Sequence, residues 1–226
     1  RILSLFQEKE SRAELGLGSV RDSLADQLFP GTSTIQTRLR YMLFVPWIYH
    51  SLEEKKIPAE SFAAQADKLE RDLVRPLMDS DDQGGVFGKT AGMKLKRLPS
   101  SVYWAGLGIW GIRTTPFSQD EYHRRIDETY RRRNALKALE KDAKMRGDDI
   151  EVEQRIAALS WHPRLPEPPE DFPGVVNFAL SREEAEFIRD RIQVACGDSL
   201  LSFLVLHCKP ADTHAPWEHP EYGSFS

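Results

Sequence analysis

Apolar residues are densest in one segment near the start of the chain. They are Ile35, Leu39, Met42, Leu43, Val45, Trp47 and Ile48. A helix with a single apolar stripe would carry more polar positions, so this pattern predicts a helix that is buried on most of its surface. We expect this central helix to run over about residues 34–54, after a Pro-Gly turn at 30–31. Pro46 lies inside it and predicts a kink or a break.

The rest of the chain alternates amphipathic segments with polar breaks. Further helices are predicted at about residues 20–29, 59–78, 90–98, 102–110, 119–145, 182–196 and 200–207. In the first of these, Val20, Leu24 and Leu28 share one face. Ser118 and Ser181 each precede a glutamate by three positions, which is the capping-box pattern of a helix start. We find no repeats and no paired alternating strands, so the predicted fold is mainly α, a multi-helix bundle around the central helix.

A proline-rich stretch divides the predicted bundle. Five prolines lie between residues 161 and 174, which predicts a stiff, extended linker. We therefore expect a helical core domain over residues 1–160, this linker over 161–174, and a small helical segment over 175–226 that packs on the core. The chain begins at Arg1 rather than at a methionine, so we expect it to be a fragment of something longer.

Composition excludes only a few classes of function. The 226 residues carry a formal net charge of −4, so no overall basic character marks a nucleic-acid-binding protein. Cys196 and Cys208 do not form a disulfide framework, which favours a reducing cytoplasm. The longest apolar run, at residues 42–49, contains a proline and is too short to span a bilayer. No signal peptide is visible, and we expect a cytoplasmic protein without a membrane partner.

Two basic segments make DNA a candidate partner. Their candidate contact residues are Lys94, Lys96, Arg97, Arg124, Arg125, Arg131 and Arg132. On a helix, Arg124 and Arg131 lie at almost the same angle, and spaced positive charges of this kind bind a phosphate backbone through counterion release. The alternative is a solvated helix with internal ion pairs, because acidic residues are interspersed at 120–121 and 127–128.

The enzyme motifs that we considered are incomplete. His207, Cys208, His214 and His219 are zinc-ligand types within thirteen positions, but their spacing matches no standard zinc site, and chance enrichment in the tail is the alternative. Residues 83–90 end in Gly-Lys-Thr, but Gln83 stands where a phosphate loop needs glycine, so a flexible loop is favoured. The acidic and lysine residues at 79–96 do not lie on predicted strands, as those of a nuclease would. We expect no catalytic residue, no cofactor and no metal.

Several segments resemble an uncharacterised bacterial family, domain of unknown function 6361. They are residues 15–22 (LGLGSVRD), 28–38 (LFPGTSTIQTR), 44–49 (FVPWIY), 95–107 (LKRLPSSVYWAGL) and 198–201 (DSLL). The resemblance implies a bacterial cytoplasmic protein with no assigned activity, and further sequence after Ser226. It also suggests gene islands that hold helicases and phospholipase-D-like nucleases and act against phage.

We therefore expect a non-enzymatic component of a bacterial anti-phage defence assembly that binds other protein subunits, such as a helicase or phospholipase-D-like nuclease, and DNA. Arg38 and Arg40 are expected to be structural and to tie the central helix to acidic neighbours. One alternative is a metal-dependent nuclease or other hydrolase subunit, whose metal ligands would be the four histidine and cysteine residues of the tail. A further alternative is an interaction scaffold without nucleic acid.

Overall fold

The helices of the chain follow one another without an intervening sheet. A computed structural model describes residues 16–89, 95–146, 158–207, 213 and 215–225. The helices are α1 (residues 16–28), α2 (Tyr41–Glu54), α3 (Ala59–Asp72), α4 (Val74–Met78), α5 (Pro99–Ile109), α6 (Gln119–Arg146), α7 (Arg182–Cys196) and α8 (Leu200–His207). Within the described ranges, one isolated bridge joins Arg113 and Trp161 and no β-strand forms. The prediction of a mainly α bundle is confirmed.

Helix α2 lies at the centre of the molecule and is buried on all sides. Every residue from Tyr41 to Tyr49 is buried. The helix packs against α3 and α5, and α6 packs against both of those helices. Pro46 does not end α2, because a proline removes only the single helical hydrogen bond to the carbonyl four residues earlier.

The predicted start of α2 at residue 34 is wrong by seven positions. The hydroxyl of Tyr103, on α5, accepts hydrogen bonds from the backbone N–H groups of Thr37 (2.8 Å) and Arg38 (3.0 Å). It also donates to the carbonyl of Arg38 at 2.8 Å. The Tyr103 side chain thus satisfies the backbone hydrogen bonds of this segment in a non-helical conformation. Because Tyr103 is sixty-five residues away, no local sequence pattern shows this contact.

Helix α1 begins at residue 16, four positions before its predicted start. Two prolines explain the differences at α3 to α5. Pro76 cannot bond to the carbonyl of Asp72, so the helix predicted over 59–78 is interrupted at Leu73 between α3 and α4. Pro99 begins α5 rather than ending a preceding helix, since proline fits the first position of a helix. Residues 95–98 are accordingly not helical, and the remainder of the helix predicted at 90–98 lies outside the described residues.

The proline-rich stretch lies against the central helix, and α7 belongs to the same apolar core. The indole N–H of Trp47 donates to the carbonyl of Pro166 at 2.6 Å, and the ring of Phe172 stacks 5.9 Å from that of Phe44. Ile188 and Ile192 of α7 belong to the same apolar core. The division into a core domain, a linker and a C-terminal segment stays a prediction, but the described part of residues 161–174 runs along α2.

Buried and half-buried ion pairs fix the segment before α2, as expected for Arg38 and Arg40. Arg38 pairs with Asp82 and donates to the carbonyl of Gly84 at 2.6 Å. The guanidinium of Arg40 lies 2.7 Å from Glu184 of α7, and both side chains are less than a tenth exposed. Glu184 also completes the capping box of α7 with Ser181, as its sequence pattern predicted.

Arg40→Ala should lower the free energy of unfolding by about 3 to 5 kcal/mol, because it leaves the buried carboxylate of Glu184 without a cation. Urea denaturation measures this change. The matched control is Arg182→Ala, which removes the exposed ion pair with Glu186 and should change stability far less. Equal effects of the two variants would contradict the role assigned to Arg40.

Candidate functional site

The basic residues singled out from the sequence fall into two groups. Lys96 and Arg97 are exposed in the turn before α5, and Arg124 and Arg131 are exposed on α6. Arg125 and Arg132 instead both pair with Glu128 of their own helix, at 3.0 and 3.7 Å. Lys94 lies outside the described residues. The structure is therefore compatible with both interpretations of α6. Some of its arginines pair with a glutamate of the same helix, and others are exposed to solvent.

A polar cavity of about 270 Å³ lies where these two basic segments meet. Residues from α2, α3, α5, α6 and the turn before α5 line it. Among them are Tyr49, Glu70, Lys96, Ser100, Asp120 and His123. Because Lys96 and His123 share this cavity, the turn before α5 and the start of α6 lie side by side.

Glu70 is a buried acid in the wall of this cavity. The residue is only 1% exposed. One carboxylate oxygen, Oε2, accepts the backbone N–H of Ser100 at 2.7 Å, near the N-terminus of α5. The other oxygen, Oε1, has no hydrogen-bond partner in the part of the chain that the structure describes. Burial raises the pKa of Glu70 to about 7, and the bonds from Ser100 only partly oppose this shift.

A chain of hydrogen bonds continues from Ser100 to His123. The amide of Gln119 donates to Ser100 Oγ at 2.7 Å and to the Tyr49 hydroxyl at 2.8 Å. The Tyr49 hydroxyl lies 3.1 Å from His123 Nε2. Burial lowers the pKa of His123 and raises that of Tyr49, so at pH 7 the imidazole is neutral and the tyrosine hydroxyl keeps its proton. Groups whose pKa values are shifted by burial and which share a cleft are typical of functional sites.

A second buried acid, Glu53, has an ion pair with a described residue, whereas Glu70 has none. Glu53 of α2 lies 2.7 Å from the guanidinium of Arg133, and the hydroxyl of Tyr122 donates to the same carboxylate. Glu53 is therefore neutralised within the fold. Glu70 has no ion pair with any described residue, because its neighbour Arg71 binds Asp67 and the carbonyl of Leu95.

Sequence reasoning missed Glu70, although a signal was present. Its position repeats the spacing of Phe62 and Ala66, so a carboxylate lies on the buried face of α3. Tyr49, Ser100 and Gln119 carried no such signal, because each is separated from Glu70 by at least twenty residues. His123 was counted only as part of a basic run.

The other sequence motifs do not assemble into a site among the described residues. His207 ends α8, and the Nδ1 atom of His219 accepts the N–H of Glu221 at 3.1 Å, whereas Cys208 and His214 lie outside the described residues. Within the described ranges, no group of three or more metal-ligating side chains has metal-binding geometry. Residues 83–89 form turns held by Thr37 and Arg38.

The fold offers no candidate membrane helix in its described part. None of the helices found there combines the length and the apolar character that crossing a bilayer demands.

The comparison with known proteins places the chain in a family. The profile of a family of unknown function (DUF6361) matches residues 1–223. The chain belongs to DUF6361. This confirms the resemblance seen in the sequence and extends it over nearly the whole chain. No curated protein and no solved structure is detectably similar to this DUF6361 chain.

One further surface of the DUF6361 chain is apolar and uncovered. Helix α1 exposes Leu17, Val20, Leu24 and Leu28, which are 73%, 57%, 53% and 38% accessible. Their spacing of three, four and four residues places them in one stripe along the helix. Arg21 and Asp22 beside the stripe are paired with each other at 2.8 Å.

Glu70→Gln should stabilise the protein at neutral pH. The folded-state pKa of about 7 is above the ordinary value of 4.5, so wild-type stability falls as pH rises from 4.5 to 7. The glutamine amide carries no charge and removes this fall. At pH 8 the variant should gain on the order of 2 to 3 kcal/mol in free energy of unfolding, and at pH 4 the gain should vanish.

Denaturant unfolding across pH 4 to 8 measures this difference. Glu60→Gln, at an exposed position of the same helix, provides the control and should follow the wild-type profile. Parallel stability profiles for the wild type and Glu70→Gln would show that folding does not raise the pKa of Glu70.

Proposed function

We propose that this DUF6361 chain is a non-enzymatic component of a bacterial anti-phage assembly and works by binding a partner protein. The observation that carries the proposal is the uncovered apolar stripe of α1. A continuous apolar stripe on an exposed helix is typical of an interaction surface, since its burial against a partner is strongly favourable. The defence setting, the cytoplasmic location and the choice of a helicase or phospholipase-D-like nuclease as partner rest on the family resemblance alone.

The occupant of this stripe is an amphipathic helix of the partner. The positions 17, 20 and 24 follow the spacing of a coiled-coil seam, and such a seam fits the apolar face of another helix. A partner helix with an apolar seam therefore complements α1.

Leu24→Glu should weaken partner binding by at least about tenfold, because it places a charge in the centre of the apolar seam. The measurement is calorimetry with the purified helicase or phospholipase-D-like nuclease subunit that the proposal names as the partner. Val194→Glu is the matched control, since Val194 is also an exposed apolar residue but lies on α7. Unchanged affinity in Leu24→Glu would refute the assignment, and so would a wild-type dimer in sedimentation that this variant dissociates.

DNA binding is a second candidate, favoured by the cluster of exposed cations beside the polar cavity. Lys96, Arg97, Arg124 and Arg131 are exposed, and within the described part of the chain none of them pairs with a carboxylate. The adjacency of the turn before α5 and the start of α6 brings both basic segments to one region of the surface. Cations arranged in this way are suited to phosphate contacts.

The double variant Arg124→Ala/Arg131→Ala should reduce DNA affinity and flatten its salt dependence by about two in the slope of log K against log salt. The control is Arg125→Ala/Arg132→Ala, which removes the same charge from residues already paired with Glu128 and should change affinity less. Fluorescence anisotropy at two or more salt concentrations measures both. Absence of binding at low salt would favour the scaffold without nucleic acid, and metal-dependent cleavage would favour the nuclease alternative.

A further inference from the structure

Three carboxylates of the described residues are buried, and two of them are neutralised by the fold. Glu53 has Arg133 and Glu184 has Arg40 at 2.7 Å each. Glu70 is held by Ser100, whose backbone N–H donates to Oε2, and Oε1 has no hydrogen-bond partner among the described residues. A buried polar atom without a hydrogen bond is costly, and it indicates either a bound water or a ligand group at that place.

The surroundings of Glu70 supply further acceptors to a ligand in the cavity. Asp120 lines the same space, is exposed at its rim and forms no ion pair with a described residue. Of the cations nearby, Arg71 is already bound to Asp67 and to the carbonyl of Leu95. Lys96 is exposed, as expected for an ammonium group that remains in water.

We infer that the cavity beside Glu70 is a binding site for a small organic cation with an alkylguanidinium group, which donates N–H bonds to Oε1 of Glu70 and to Asp120. The planar guanidinium presents several N–H donors in a fixed fork that matches carboxylates. It is also more weakly hydrated than an ammonium group, so it loses less on entering a largely buried site. The cavity of about 270 Å³ accommodates a guanidinium with a short alkyl stem.

The protonation of Glu70 couples to this binding. A bound cation stabilises the ionised carboxylate, so affinity should rise with pH up to about 7 and fall about tenfold for each unit below it. The other charged and titratable groups that line the cavity are Asp67, Arg71, Lys96, Asp120, His123 and Tyr49. Burial lowers the pKa of His123 and raises that of Tyr49, so neither changes charge between pH 7 and 8.

The test compares two probes of the same shape, butylguanidinium and the uncharged butylurea, by calorimetry at pH 8 and pH 6. The wild type should bind butylguanidinium at least about tenfold more tightly than butylurea, and less tightly at pH 6. Glu70→Gln should lose this preference while remaining folded, as its unfolding curve will show. Asp120→Asn should weaken binding of butylguanidinium, and Glu60→Gln should leave it unchanged.

Equal affinity for the two probes, or undiminished binding to Glu70→Gln, would overturn the inference. Absence of saturable binding up to concentrations on the order of 10 mM would show that the cavity holds water only. The α1 variant Leu24→Glu should bind butylguanidinium like the wild type. Failure of this site and failure of the partner surface are therefore distinguishable.

Discussion

The structure depends on the burial of α2, a helix that is apolar on nearly every face. A single neighbouring helix covers only one side of such a rod, so several elements must pack around it. Helices α3 and α5, the proline-rich stretch and α7 supply these neighbours, although they come from widely separated parts of the chain. The aromatic residues of α2 contact most of these elements, and Tyr49 alone packs against rings from α3, α5 and α6.

The packing around α2 also buries several charged groups, and only some of them form ion pairs with a described residue. Arg40 and Glu53, at the two ends of α2, each meet an opposite charge from a distant helix. Such pairs fix the relative positions of the helices, because either partner alone would remain buried and uncompensated. Glu70, like the buried Arg113 and Arg191, forms no ion pair with a described residue. Burial raises the pKa of Glu70, and Ser100 and the nearby Arg71 oppose this shift only in part.

The surfaces with functional interest lie outside the enclosed core or at its edge. The apolar stripe of α1 is exposed, while residues of similar hydrophobicity in α2 are wholly buried. The polar cavity opens beside exposed cations of the turn before α5 and of α6. The proposed protein, DNA and ligand sites thus rest on different residues, except that Lys96 belongs to the basic cluster and also lines the cavity.

The local sequence determined which segments are helical. Dense apolar spacing identified α2, capping patterns located the starts of α6 and α7, and the stripe of α1 was visible from Val20, Leu24 and Leu28. These features arise from interactions within a few residues, which a pattern records directly. Even the anomaly of Glu70 could be read from its place on the apolar face of α3.

Only the tertiary structure decided where α2 begins, which charges are paired, and where the polar cavity lies. The start of α2 depends on a hydroxyl of α5, and Glu53 finds its cation eighty residues along the chain. The cavity requires side chains from four helices and a turn at one point in space. Packing between distant segments determines all three. A single sequence does not show which of its segments pack together.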